Sequence, residues 1–325
     1  MGKTGGYFFV LALSLVFLSP TRPLYAQGVG GVSMEKVELG RLLFFDKRLS
    51  VDDTVSCATC HDPARAYTDN ETVSTGIKGL KGGRNAPTVI NRVFGTLQFW
   101  DGRAGSLEEQ AKGPMINPVE MGNPDHKSVV AKLGKIGYYK DKFMEIFGRE
   151  INIDDLVAAI ASFERTVVSD DSKFDRFSTG ENCALNASEK RGMDLFAGKG
   201  RCAVCHSGIR FTDEDFHNIG VGMDKENPDL GRYKVTHNDD DKGAFKTPTL
   251  RDAASTAPYM HDGRFMTLED VIDFYDEGGI ANPNLHPVIE KLGLTVEEKK
   301  DLASFLRALG GERWRKIIVP TKFPE

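Results

Sequence analysis

The sequence predicts a mainly α-helical protein made of two similar units, and three observations carry that prediction. Apolar residues recur with helical spacing in several stretches, while strand signals are few and short. The pentapeptide Cys-x-x-Cys-His occurs twice, as Cys57-Ala58-Thr59-Cys60-His61 and as Cys202-Ala203-Val204-Cys205-His206. Two further segments recur at one displacement. Ala86-Pro87-Thr88-Val89 returns as Thr247-Pro248-Thr249-Leu250, and Trp100-Asp101-Gly102-Arg103 as His261-Asp262-Gly263-Arg264, each 161 positions on.

Val37, Leu39, Leu42, Leu43 and Phe45 form a helical stripe over residues 34–45, which leads into the first pentapeptide. The glycine-rich residues 75–83 read as a loop. Ser106 stands three positions before Glu109, a capping box that opens a helix over 106–112. Residues 126–147 hold two short helical patterns broken at Gly134 and Gly137, and 153–168 is a stronger amphipathic helix. The polar stretch 169–186 reads as the boundary between the units. A helix over 188–196 delivers the second pentapeptide, and 212–243 reads as loop. Helices resume over 267–275 and 295–309, the last with Thr295 as cap and Glu298 three residues on.

The chain opens with Lys3 and an apolar run from Phe8 to Leu18, too short to cross a bilayer, followed by Leu24-Tyr25-Ala26-Gln27. This is the pattern of a secretory signal peptide over 1–26, and it predicts export to the periplasm with no membrane span in the mature chain. Its removal takes away Lys3 and Arg22 and no acidic residue, so the formal charge moves from -5 to -7. A mildly acidic surface argues against a nucleic-acid partner and suits steering of a basic or dipolar protein. Four of the five cysteines lie in the pentapeptides. Cys183 is left as a buried or incidental thiol, with no histidine near it in sequence.

Cys-x-x-Cys-His is the attachment signature of c-type haem: the thiols form thioethers to two vinyl groups and the histidine turns onto the iron. A zinc site needs a second ligand pair close by, and a redox disulfide has no use for the trailing histidine. Two copies, each inside a repeated unit, predict two cytochrome c-like haem domains related by internal duplication, over 27–180 and 181–325. One haem is expected on Cys57 and Cys60 with His61 on its iron, the other on Cys202 and Cys205 with His206.

The sixth position on each iron decides function. Peroxide activation needs an open iron and a group that moves a proton between the two peroxide oxygens. Glu120 suits this if burial raises its pKa, and Gln110 can orient peroxide by hydrogen bonding. At the equivalents of Trp100 and Gln110 the second unit has His261 and Val271, and it offers Tyr275 instead. Glu120 and Gln110 also suit a surface loop, and Trp100, able to relay electrons between two haems, also suits a core.

Residues 36–310 resemble the bacterial di-haem cytochrome c peroxidases and the related MauG-type enzymes. The matches are Arg84-Asn85-Ala86-Pro87-Thr88, Phe99-Trp100-Asp101-Gly102-Arg103, Gln110, Glu120-Met121 and Ala257-Pro258-Tyr259-Met260-His261-Asp262-Gly263. The resemblance implies that the first haem is the peroxide site, with Glu120 as acid/base, Gln110 beside it and Trp100 between the haems. The second haem would pass electrons inward from a small c-type cytochrome or cupredoxin. A calcium ion between the domains is implied at Asn85, Thr256 and Pro258, oxygen donors of the kind calcium takes. Many members form homodimers.

Two departures follow from the same resemblance. Where many peroxidases carry a histidine that blocks the peroxidatic iron, this chain has Ile77, which cannot ligate, so an open first haem is expected in the oxidised enzyme. Tyr275 falls where the peroxidases supply an axial methionine and MauG-like enzymes a tyrosine; a phenolate favours ferric iron. Met260 and Met266 are the other candidates. MauG-type enzymes oxidise a partner protein through a surface tryptophan just before the second motif. Ala197-Gly198-Lys199-Gly200-Arg201 has none, and Trp314 is the only other tryptophan. The expected function is reduction of hydrogen peroxide to water, set against oxidation of residues on a partner protein and against electron transfer without catalysis.

Overall fold

The computed structural model describes residues 32–325, and the expected signal peptide lies outside them. Among the described residues nine helices of six residues or more build the frame: α1 (Met34–Phe45), α2 (Leu107–Ile116), α3 (His126–Leu133), α4 (Gly137–Phe147), α5 (Ile153–Glu164), α6 (Lys173–Ser178), α7 (Ala187–Ala197), α8 (Leu268–Asp276) and α9 (Val296–Arg307). The first pentapeptide forms one further turn, Cys57–Cys60, and Tyr233–Thr236 forms another. Two short strands, β1 (Phe216–His217) and β2 (Phe245–Lys246), pair antiparallel. Among the described residues no helix is long and apolar enough to cross a membrane.

Side-chain caps set most of the helix starts. Thr295 and Glu298 form the expected capping box on α9, with Thr295 Oγ1 accepting from the Glu298 amide and Glu298 Oε2 from the Thr295 amide. At α2 the box is incomplete. Ser106 Oγ accepts from the Glu109 amide, but Glu109 reaches past it to the Gly105 amide at 2.7 Å. The helix also runs on to Ile116, although Pro114 has no N–H to give the Gln110 carbonyl. Conversely α5 stops at Glu164, because the amides of Thr166 and Val167 turn to the carbonyls of Phe163 and Glu164. The stretch read as a boundary is not a plain linker. Ser172 and Asp175 form a capping box that starts α6.

The buried apolar residues fall into two clusters. The first gathers Leu43, Phe44, Leu49, Ile160 and Phe163 from α1, α5 and their neighbours, the second Phe196, Phe211, Ile272, Leu302 and Phe305. α1 packs across α5, and α7 across α9, each at a glycine. A Cβ on Gly40 would lie 1.8 Å from the Ala159 carbonyl oxygen, and one on Gly192 would lie 2.0 Å from that of Asp301. Phe174 of α6 joins the second cluster, and Asp175 takes both arms of Arg251 at 2.7 and 2.8 Å. In the other direction, Trp314 leaves the second unit's sequence and enters the first cluster, edge-on to Tyr67 at 6.3 Å. Its indole N–H donates to Asp252 Oδ1 at 2.9 Å.

Reciprocal backbone bonds join the repeated segments. The Asn85 amide donates to the His261 carbonyl and the Lys246 amide to the Trp100 carbonyl, both at 2.8 Å. Thr88 and Thr249 each give their hydroxyl to a carbonyl at 2.6 Å, that of Ala66 and that of Arg210. Arg92 adds a two-armed ion pair with Glu214.

Candidate active site

One cavity of about 1160 Å³ runs between the two clusters, and both pentapeptides line it. That exceeds the roughly 300–1,000 Å³ usual for a single small ligand. In its wall His61 Nδ1 meets the Tyr67 carbonyl at 3.1 Å, and His206 Nδ1 meets the Phe211 carbonyl at 3.0 Å. Nδ1 is therefore the protonated nitrogen, which leaves Nε2 of each ring free to coordinate. Burial lowers both imidazoles below their ordinary pKa. The same burial lifts the thiol of Cys60 to about 11 and that of Cys202 to about 12, and raises Cys57 as well. Protonated, enclosed thiols are the opposite of what a redox disulfide motif needs. Cys183, by contrast, is exposed.

Gln110 on α2 and Glu120 just beyond it reach the same cavity as His61. Asn117 organises the turn between them. Its backbone carbonyl accepts from the amides of Glu120 and Gly122, its Oδ1 accepts from Val119, and its Nδ2 donates to Glu120 Oε1 at 2.7 Å. Burial raises the Glu120 carboxyl above its usual range, and the positive charge of Arg103 opposes that shift. Ile77 is buried and is not part of the cavity wall. Its side chain packs where a Cβ on Gly122 would stand, and its amide donates to the Glu120 carbonyl at 2.9 Å.

Trp100 also lines the cavity, pinned by its indole N–H to the Asn85 carbonyl at 2.9 Å. Its counterpart His261 stacks on Phe245 with ring centroids 3.6 Å apart. In the second half, Tyr275 at the end of α8 faces the cavity, and burial pushes its phenol well above the ordinary value. Met260 lines the cavity too, whereas Met266 is 61 % exposed and stands outside it, which removes it as a candidate ligand. Asn85, Thr256 and Pro258 all reach the cavity wall. Asn85 gives its Nδ2 to the Glu71 carbonyl, leaving Oδ1 as an acceptor.

Sequence reasoning missed several residues of this wall. Asn117 had no signal beyond its place after a helix. Lys246 is buried beside Glu214 and Arg92, burial holding its pKa down to about 8, and it occupies the position that repeats Asn85. Glu164, a buried carboxyl, also went unmarked. The Cys205 sulfur, Asp213 and His217 lie within 4.8 Å of one another. A haem attached through Cys205 would take that sulfur from the trio.

A family profile described as di-haem cytochrome c peroxidase matches residues 34–183. The methylamine utilization protein MauG of Methylorubrum extorquens is 44% identical over 285 residues, covering 86% of this chain and 79% of that protein. The chain belongs to the di-haem cytochrome c peroxidase and MauG family. Cytochrome c551 peroxidase of Nitrosomonas europaea is 38% identical over 315 residues, covering 95% of this chain and 89% of that one. A solved MauG-like protein associated with microbial copper homeostasis superposes with a TM-score of 0.82 at 34% identity, covering 95% and 97% of the two chains.

The protein is thus a di-haem oxidoreductase of the peroxidase type. The family implies haem, and the donor set fits it: paired thiols, a neutral imidazole with Nε2 free, and a mainly apolar wall, each present twice around one cavity.

Proposed function

We propose that the protein is a periplasmic di-haem peroxidase that reduces hydrogen peroxide to water with electrons from a small c-type cytochrome or cupredoxin. Two covalent c-type haems are held through Cys57 and Cys60 and through Cys202 and Cys205, in two cytochrome c-like domains related by duplication. The repeated backbone bonds of Asn85 and Lys246, and the glycine crossings at Gly40 and Gly192, support the duplication. Asn85 Oδ1 with the Thr256 and Pro258 carbonyls is the proposed calcium site, a set of neutral oxygens suited to a hard cation.

One observation carries the peroxidase reading: Glu120, its carboxyl raised by burial and oriented by Asn117, lines the same cavity as His61 and Gln110. Bound haem would supply the iron on which peroxide sits and through which electrons arrive. Gln110 would orient peroxide by hydrogen bonding. Glu120 would accept a proton from one peroxide oxygen and return it to the other, which would leave as water. Two electrons and two protons per peroxide then give two waters. Ile77, buried outside the cavity wall and unable to ligate iron, supports a face with no blocking ligand.

A second reading has its own support. The Tyr275 phenol in the cavity wall suits a charge-donating ligand on the second iron, as in MauG-like enzymes that oxidise a partner protein. Steady-state peroxide reduction by Glu120→Gln decides the first reading. We expect a fall of about 10²–10⁴-fold with both haem spectra retained, and unchanged turnover would remove Glu120 from the chemistry.

A further inference from the structure

Glu164, the last residue of α5, is 5 % exposed, lines the cavity and acts directly on Cys57. Its Oε2 is enclosed and has no hydrogen-bond partner among the described residues. The adjacent cation, Arg165, is shared with Glu108 of α2 at 2.7 Å, so it offsets only part of the effect of burial on Glu164. Among the described residues Arg165 and Glu108 are the charges that act on this carboxyl, none of them from α1 or α3. Burial lifts its pKa to about 8, Arg165 opposing and Glu108 adding to the effect. At neutral pH it is a carboxylic acid with a proton to donate and, at Oε2, no protein acceptor to receive it. Leaving such a group buried and unserved is unfavourable. The cavity beside Cys57 is where an acceptor can stand.

We propose that Glu164 is a second proton-holding carboxyl of the first haem site, distinct from Glu120, which couples the redox state of the group attached through Cys57 to its own protonation. The inference rests on the haem reading of the first pentapeptide. The physical basis is that an uncompensated carboxylate in a low-dielectric wall favours the oxidised, more positive neighbour. Above the pH at which its carboxyl ionises, Glu164 would take up one proton from solvent when a haem held at Cys57 gained one electron. When that electron leaves, the proton leaves with it. The charge in the wall is thereby conserved. Glu164 touches no reacting atom of peroxide and is a positioning residue in this sense.

The test is spectroelectrochemical titration of the holoprotein from about pH 6 to pH 10, spanning the carboxyl's titration, with redox-difference infrared spectra at each point. The potential of one haem is expected to fall as pH rises while the other holds steady, and a protonated-carboxyl band should appear in the difference spectrum. Both signatures should vanish in Glu164→Gln and persist in Glu120→Gln. Either signature surviving in Glu164→Gln, or neither appearing in the unmodified protein, overturns the proposal. Should Glu164→Gln not accumulate, Glu164→Asp serves in its place: a shifted band supports the assignment and an unmoved band refutes it. Failure of the haem reading itself would show separately, as absence of c-type absorbance in every variant.

Discussion

The amide of Ile77 donates to the carbonyl of Glu120 at 2.9 Å, so the loop over 75–83 and the proposed acid/base form one backbone-bonded unit. Gly76 makes the approach feasible: a Cβ there would lie 2.0 Å from the Val119 carbonyl oxygen and 2.6 Å from that of Glu120. Gly76→Ala is therefore expected to shift Glu120 and to lower peroxide turnover by about 10²-fold, the cost of roughly an ångström of misplacement. Haem absorbance should not change, while the pH profile of turnover should move. Wild-type kinetics in this variant would uncouple the loop from the acid/base.

Tyr275 offers its phenol to the cavity from the end of α8. Replacing it with methionine should raise the potential of one haem and leave the other in place, because a thioether donates less charge to ferric iron than a phenolate. Redox titration followed by optical spectra reads this directly. Equal potentials in the two proteins would return Met260 as the ligand.

Glu164 also sets a pH dependence of stability. Its carboxyl ionises near 4.5 in an unfolded chain and near 8 in the folded one, so the folded protein binds the extra proton between those values. The stabilisation is complete below the lower value and is lost as pH rises through the upper one. Glu164→Gln carries no such proton. Its melting temperature relative to the unmodified protein should climb between about pH 5 and pH 9, and a flat difference would contradict the raised pKa.

The two glycine crossings predict matched losses. Gly40→Ala and Gly192→Ala each push a methyl group into a backbone carbonyl, an overpacking expected to cost about 1–3 kcal/mol or more. Because the crossings lie in different clusters, the double variant should lose about the sum, read by denaturant melts.

Much of this fold is legible in the amino-acid order alone. The pentapeptides, the helical stripe of α1 and the cap of α9 are local patterns whose physics is local. α6 is hidden because Ser172 and Asp175 look like linker polarity, and only Phe174 meeting Phe211 and Phe305 makes the segment fold against the second cluster. Gln110 and Glu120 can be named from their positions, yet Asn117, which holds Glu120, cannot. A lone asparagine after a helix carries no sign of what it will bond. Lys246 and Glu164 escape for the same reason: their character comes from burial, which periodicity shows for apolar side chains and conceals for single charged ones.

Trp314 gives the assembly a schedule. The first cluster is closed by a side chain that lies far along the sequence from it, wedged against Tyr67 and tied to Asp252. A contact between positions 67 and 314 forms late and slowly, since a long loop must close before it is rewarded. Until then the side of the first unit that carries the His61 carbonyl partner stays unsealed. The folding chain is thus expected to pass through an interval in which its first pentapeptide is accessible from a direction that the folded molecule shuts.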